Sequence, residues 1–148
     1  MLEHFHVPEE DQVRVRRDDL ERTTAAIFGA MGMPADDAEL AADVLMLADI
    51  RGCETHGVSN MLRSYVEGYT QGTLNPRPDM RVVRETPSTA NVDADKGLAV
   101  ILGPKAMQMA IDKARNVGVG VVTMSNAGHS GAIGHHAMLA AKQDMVGS

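Results

Sequence analysis

Val117-Gly118-Val119-Gly120-Val121-Val122-Thr123-Met124, followed at once by Ser125-Asn126-Ala127-Gly128-His129-Ser130-Gly131-Ala132-Ile133-Gly134, is the stretch on which the fold turns. Its first part is apolar and β-branched and reads as a short buried strand. Ala132 to Gln143, rich in Ala and Met, reads as a helix. His129 therefore stands at a strand-to-helix junction. Such junctions lie at the carboxyl end of a sheet and turn free backbone N–H groups toward anions, a setting that suits a nucleotide or a carboxylate. The glycines around His129 fit two readings: a tight turn with close helix packing, or close approach of a ligand to the backbone.

Outward from this junction, strand and helix alternate. Met80 to Glu85 and Thr89 to Asp93 read as strands separated by Pro87-Ser88, and Leu98 to Asn116 reads as a helix. An α/β fold follows, with a parallel or mixed sheet and helices packed on it. Asn75-Pro76-Arg77-Pro78-Asp79 cannot continue a helix, because proline lacks a donor and biases its predecessor toward extended geometry. It is read as a linker, residues 75–79, between a helical layer over 1–74 and an incomplete α/β portion over 80–148. In the helical layer, Asp18 and Asp19 open a helix running to Ala30, which Met31-Gly32-Met33-Pro34 breaks. Asp36 and Asp37 favour the start of a second by the helix dipole, with an apolar stripe of Leu40, Val44, Leu45, Leu47 and Ala48. A third, Val58 to Gln71, spaces Met61, Leu62, Tyr65, Val66 and Tyr69 for one face, and Gly72 stops it. Met145-Val146-Gly147-Ser148 reads as the start of a further strand, so the chain is expected to be the amino-terminal part of a longer protein.

Composition limits the function classes. The chain has 148 residues, 44% hydrophobic and 23% charged, which is ordinary for a packed soluble domain. Aromatics are 3% against 11 Met, so an aliphatic, Met-filled core is expected. The net charge of −6 disfavours nucleic acid, since the only dense basic run, Arg14-Val15-Arg16-Arg17, reads as a helix flank. Met1 to Asp11 lacks the basic start and apolar core of a signal peptide, and no apolar run approaches the roughly 18 residues of a membrane span. Cys53 is alone, so there is no internal disulfide framework. A cytoplasmic protein is expected.

A second chemical cluster lies at Asp49-Ile50-Arg51-Gly52-Cys53-Glu54-Thr55-His56-Gly57-Val58-Ser59-Asn60-Met61-Leu62-Arg63-Ser64-Tyr65. Thr55 or Ser59 is placed to cap the next helix. His56 is either a hydrogen-bonded loop histidine or part of a site; Arg51 and Arg63 flank it and offer bidentate geometry to a carboxylate.

Glu54-Thr55-His56-Gly57-Val58 with Leu62-Arg63-Ser64-Tyr65-Val66 and Gly72 resembles the Ser/Thr-His-Gly signature of the malate/L-lactate dehydrogenase family. That family also includes ureidoglycolate, sulfolactate and piperideine-2-carboxylate oxidoreductases. Gly128-His129-Ser130-Gly131-Ala132-Ile133-Gly134 is similar to its second signature, and Asn75-Pro76, Asp93-Ala94-Asp95-Lys96-Gly97 and Asp144-Met145-Val146-Gly147 agree with it. The resemblance spans about Pro34 to Ser148. It implies a homodimeric, metal-independent oxidoreductase with a non-Rossmann fold, using NAD or NADP on a small 2-hydroxy or 2-keto acid. It implies that His129 is the acid/base, that His56 and Thr55 help form the substrate site, and that Ser130 and Gly131 approach the cofactor. Family members commonly carry an arginine at the position of Asn60; Arg63 is the nearest alternative for a substrate carboxylate. Because further nucleotide-binding signatures would lie beyond Ser148, the chain alone is expected to turn over little.

The chemistry is coherent with a neutral imidazole, whose ordinary pKa near 6.5 suits proton exchange with a secondary alcohol. Two other readings stay open. One is a metal site from His129, His135 and His136, although adjacent helical histidines project on different sides. The other is a non-catalytic interaction module presenting Val58 to Gln71.

Overall fold

The computed structural model describes residues 8–148; His4, His6 and the rest of 1–7 lie outside the described residues. Three helices come first: α1 (Arg17–Ala30), α2 (Ala35–Ile50) and α3 (Val58–Thr70), with a 3-10 turn at Glu54–His56 between the last two. Then follow β1 (Arg81–Glu85), β2 (Thr89–Asp93), α4 (Ala99–Val117), β3 (Val121–Ser125) and α5 (Gly134–Ala141). Asp18 and Asp19 lie in the first turn of α1, Asp36 and Asp37 in that of α2, where the dipole favours them. Arg16 is the residue before α1 and makes no capping bond, so the basic run is a flank. Gly32 and Gly72 take the left-handed conformation just past α1 and α3, the role expected of helix-terminating glycines.

The sheet is mixed, in the order β1-β2-β3. β1 and β2 form an antiparallel pair closed by Thr86 and Thr89, whose hydroxyls are 2.8 Å apart. β2 and β3 are parallel, in register from Thr89↔Val121 to Asp93↔Ser125, and α4 makes the crossover. β2 is the central strand and buries Ala90 and Val92.

One hydrophobic core joins the helical and sheet segments. Phe28, Val44, Leu45, Tyr65 and Tyr69 pack with Ala94, Leu98, Val100, Ile101 and Leu102. The segment 75–79 is tied down: Asn75 N–H donates to the Lys96 carbonyl at 2.9 Å, and its side-chain amide to Asp95 at 2.9 Å. Methionine is less central than composition implies. Met33 and Met46 are buried, whereas Met31, Met61, Met80 and Met124 pack at the core's margin.

Several expectations are corrected. Val117 ends α4 rather than starting a strand, because Gly118 (φ +88°) takes the left-handed turn that closes the helix. β3 starts at Val121 and is an edge strand with alternating exposed and half-buried residues, so it is not buried. α2 has no narrow stripe: Ala38, Ala41, Ala42, Val44, Leu45, Met46 and Ala48 are all buried, while Leu40 and Leu47 are only partly so. A helix packed against α1, α3 and α4 is covered on most sides, and alanine permits that closeness. α5 is shorter than read, since Ala132 and Ile133 belong to the preceding loop. Met145-Val146-Gly147-Ser148, expected to start a strand, forms none; Val146 is fully exposed.

Candidate active site

The loop bearing His56 is fixed by a carboxylate from the preceding helix. Asp49, near the end of α2, accepts a hydrogen bond from Val58 N–H at 2.9 Å and so caps α3. Neither Thr55 nor Ser59 caps it, contrary to the sequence expectation; Gly57 is the residue before the helix and has no side chain to contribute. Gly57 has an ordinary extended backbone, but a Cβ there would overlap the Asp49 carboxylate. Burial pushes the Asp49 pKa up, the Val58 N–H opposes that, and nearby Glu54 adds to the rise. Asn60 closes the loop by donating to the Glu54 carbonyl at 2.7 Å.

The loop bearing His129 is fixed from the other segment. Gly128 N–H donates to the Gly97 carbonyl at 2.8 Å, and Lys96 N–H donates to the Asn126 carbonyl at 2.9 Å. Gly128 lies so close to Leu74 that a Cβ would sit 2.5 Å from Leu74 Cδ2. Gly131 has φ +65°, and a Cβ there would approach Val100 at 2.9 Å. Gly131 is therefore required by its left-handed turn and by Val100, Gly128 packs closely on the Leu74 side chain, and Gly134 faces open space. The backbone N–H groups expected to await an anion are partly used, since Gly131 N–H donates to His129 Nδ1 at 3.1 Å.

These two loops meet. The His56 and His129 rings stack with centroids 5.5 Å apart and planes 22° apart. Thr55 Oγ1 lies 2.8 Å from His56 Nδ1, and the Tyr65 hydroxyl lies 2.8 Å from His129 Nδ1. Tyr65 is 2% exposed and stacks in turn on Phe28, so His129 rests on a rigid core side chain. Burial of one edge lowers the His129 pKa, and the like charge that His56 would carry lowers it further. The ring is thus biased toward the neutral form, which can take up a proton. With Nδ1 engaged by Tyr65 and Gly131, Nε2 is the nitrogen left for exchange. A hydroxyl can either donate to Nδ1 or accept from it, so Tyr65 is compatible with both neutral tautomers, whereas the Gly131 N–H bond is made only by the tautomer protonated at Nε2.

Thr55, His56 and His129 are therefore brought together, and Ser130 and Gly131 follow directly. Arg63 is not. It is 88% exposed on α3 and pairs with Glu67 at 3.2 Å, across the helix from Tyr65. Asn60 is held at the Glu54 carbonyl. Sequence reading had placed Tyr65 only on a core face and missed its contact with His129. It also missed Asp49 as a cap. The sequence offers His136 only as a metal ligand; in the structure it is buried against Gly103 and bonds the Ser130 carbonyl through Nε2 at 3.0 Å. His135 turns the other way, to Asp43 at 3.3 Å. Among the described residues, no group of three His, Cys, Asp or Glu side chains is placed to hold a metal. No helix among them is long and apolar enough to cross a membrane.

The malate/L-lactate dehydrogenase family model matches residues 15–148. The chain is 40% identical to a malate dehydrogenase of Pyrococcus abyssi over 99% of its own length and 40% of that protein's. It is 46% identical to an L-sulfolactate dehydrogenase of Methanocaldococcus jannaschii over 82% of its length and 35% of that protein's. The solved malate dehydrogenase of Pyrococcus horikoshii superposes with a TM-score of 0.88 at 40% identity, covering 93% of this chain and 39% of that one. The chain thus spans about 40% of the length of the relatives it matches. It belongs to the malate/L-lactate dehydrogenase family.

Proposed function

We propose that this chain supplies the proton-transfer and substrate-facing part of an oxidoreductase that interconverts a small 2-hydroxy acid and its 2-keto acid. The observation that carries the reading is the stacking of His56 on His129 above the buried Tyr65 hydroxyl. Family membership supports it, as do relatives named malate and sulfolactate dehydrogenases.

His129 is the acid/base. In oxidation, the tautomer protonated at Nδ1 presents the Nε2 lone pair to the substrate hydroxyl and donates to Tyr65, the Gly131 N–H bond to Nδ1 giving way; in reduction, the proton returns from Nε2 to the carbonyl oxygen. His56, oriented by Thr55, forms the wall beside it. A nicotinamide cofactor, NAD or NADP, would accept or deliver the hydride. A groove of about 840 Å³ runs past Ser130 and His136 between α4, β3 and α5. Its wall of Ala99, Gly103, Ala106 and Ala137 leaves room for a flat ring, and the buried His136 Nδ1 has no partner. Among the described residues no Lys or Arg lines that groove, so it fits a nicotinamide ring better than a pyrophosphate. Ser130 and His136 are the side chains that would hold the ring.

The whole protein is proposed to be a cytoplasmic homodimer in which further sequence completes the nucleotide site, and the 148-residue chain alone turns over little. The test is the reduction of NAD or NADP with L-malate, L-lactate or sulfolactate by the product of the complete reading frame. His129→Gln is expected to lower kcat/KM by roughly 10²- to 10⁴-fold. An unchanged rate in that variant, or no oxidation of any 2-hydroxy acid, overturns the reading.

A further inference from the structure

We infer that Arg51 is the residue that grips the substrate carboxylate. This rests on the functional reading above and deepens it, because neither Asn60 nor Arg63 supplies a cation beside the histidine pair. Asn60 is neutral and bonded to the Glu54 carbonyl, and Arg63 is paired with Glu67 on the exposed side of α3.

Arg51 follows α2 directly and lines a cavity of about 320 Å³ together with His56, Gly131 and His135. Leu47, Ala48 and Ile133 supply apolar wall. His56 is thus shared: one side of its surroundings is the stacked His129 ring, and another is the cavity that Arg51 helps to line. A small acid seated with its carboxylate on Arg51 lies against His56, on the way to His129.

The guanidinium is available for this. Among the described residues no carboxylate lies within ion-pair reach of Arg51. Its recorded partner is Met138 Sδ, 2.9 Å from Nη2. A thioether is a weak acceptor, whereas a carboxylate matches the guanidinium fork with two parallel hydrogen bonds. Asp49, the nearest acid in sequence, is committed to the α3 cap, and Asp43 faces His135. A cation without a carboxylate partner beside a part-apolar cavity that a half-buried histidine also lines is an arrangement for a small anion with an apolar flank. Arginine rather than lysine is the fitting residue, because it keeps its charge and its planar geometry.

The test is a titration of the full 148-residue chain with L-malate, L-lactate and sulfolactate, following the His56 and His129 ring signals by NMR. Wild type is expected to show saturable shifts at both rings with at least one of these acids. Arg51→Gln is expected to weaken binding by roughly 10- to 100-fold, the scale of a charge-assisted hydrogen bond pair. Arg51→Lys should fall between, and Arg63→Gln should stay within about 2-fold of wild type. Unchanged far-ultraviolet circular dichroism certifies the fold of each variant, and if Arg51→Gln fails to fold, Arg51→Lys carries the comparison. Wild-type affinity in a folded Arg51 variant overturns the assignment of Arg51 alone. Absence of any shift in the wild type with all three acids overturns the functional reading and this inference with it.

Discussion

Replacing Gly57 by alanine is expected to unseat the α3 cap, and only because of Asp49. The backbone at Gly57 is extended (φ −86°, ψ −175°), a region any residue adopts, so alanine brings no torsional strain. Its Cβ would instead occupy the space of the Asp49 carboxylate, which must then release Val58 N–H. Loss of a helix cap costs about 1–2 kcal/mol, and Asp49→Ala should cost the same by direct removal. The double variant should be little worse than Asp49→Ala, since the obstruction is gone, giving a coupling of about 1–2 kcal/mol. Urea unfolding reads this as a midpoint shift of about 0.5–1.5 M for each single variant, at constant slope. Asp49→Asn separates charge from cap. Burial raises the folded-state pKa of Asp49, so its ionisation costs stability as pH rises from the ordinary 3.8 through the raised value. The amide keeps an acceptor oxygen without that cost, so Asn should lose less than Ala at neutral pH. Additive single and double costs, or a Gly57→Ala variant as stable as wild type, would refute the reasoning.

Two further expectations follow from the histidine pair. Tyr65→Phe keeps the ring packed on Phe28 but removes the hydroxyl at His129 Nδ1; it should cost about 1 kcal/mol of stability and lower kcat more than it changes KM, measured by denaturation and steady-state rates. His129 and His136 both have pKa values held below 6.5, chiefly by burial, so the unfolded chain binds more protons as pH falls through 6.5. Stability is then full above that pH and declines below it, and His136→Gln should flatten the decline in urea midpoints measured between about pH 7 and pH 5.

The readable parts of the fold are those decided locally. Gly32 and Gly72 stop helices where sequence places them, and Pro87-Ser88 lies in the turn between two strands of the expected extent. Val117 to Gly120 misled because alternating valine and glycine has a strand's period. Gly118 closes a helix instead, in the left-handed conformation with its N–H on the Ala114 carbonyl. The cap of α3 was hidden for a related reason. Sequence patterns reveal caps supplied by adjacent residues, whereas Asp49 reaches Val58 from another helix. His135 and His136 look alike in sequence, yet the helix sends one to Asp43 and the other to the Ser130 carbonyl.

Each half of the candidate site depends on the other for its geometry. His129 sits on a loop of the sheet segment, but the group that orients it, Tyr65, comes from α3 in the helical segment. His56 sits between two helices, but the surface that covers it is the His129 ring. Close approach of Gly131 to Val100 and of Gly128 to Leu74 sets how the His129 loop packs on α4 and on the segment after α3. A larger residue at Gly131 would therefore act as a displacement of His129 from Tyr65, with the core otherwise intact. The resemblance in two short signatures is thus physically one feature: the Thr55-His56-Gly57 segment supplies the platform, through Gly57 and α3, on which the Gly128-His129-Ser130-Gly131 segment is laid.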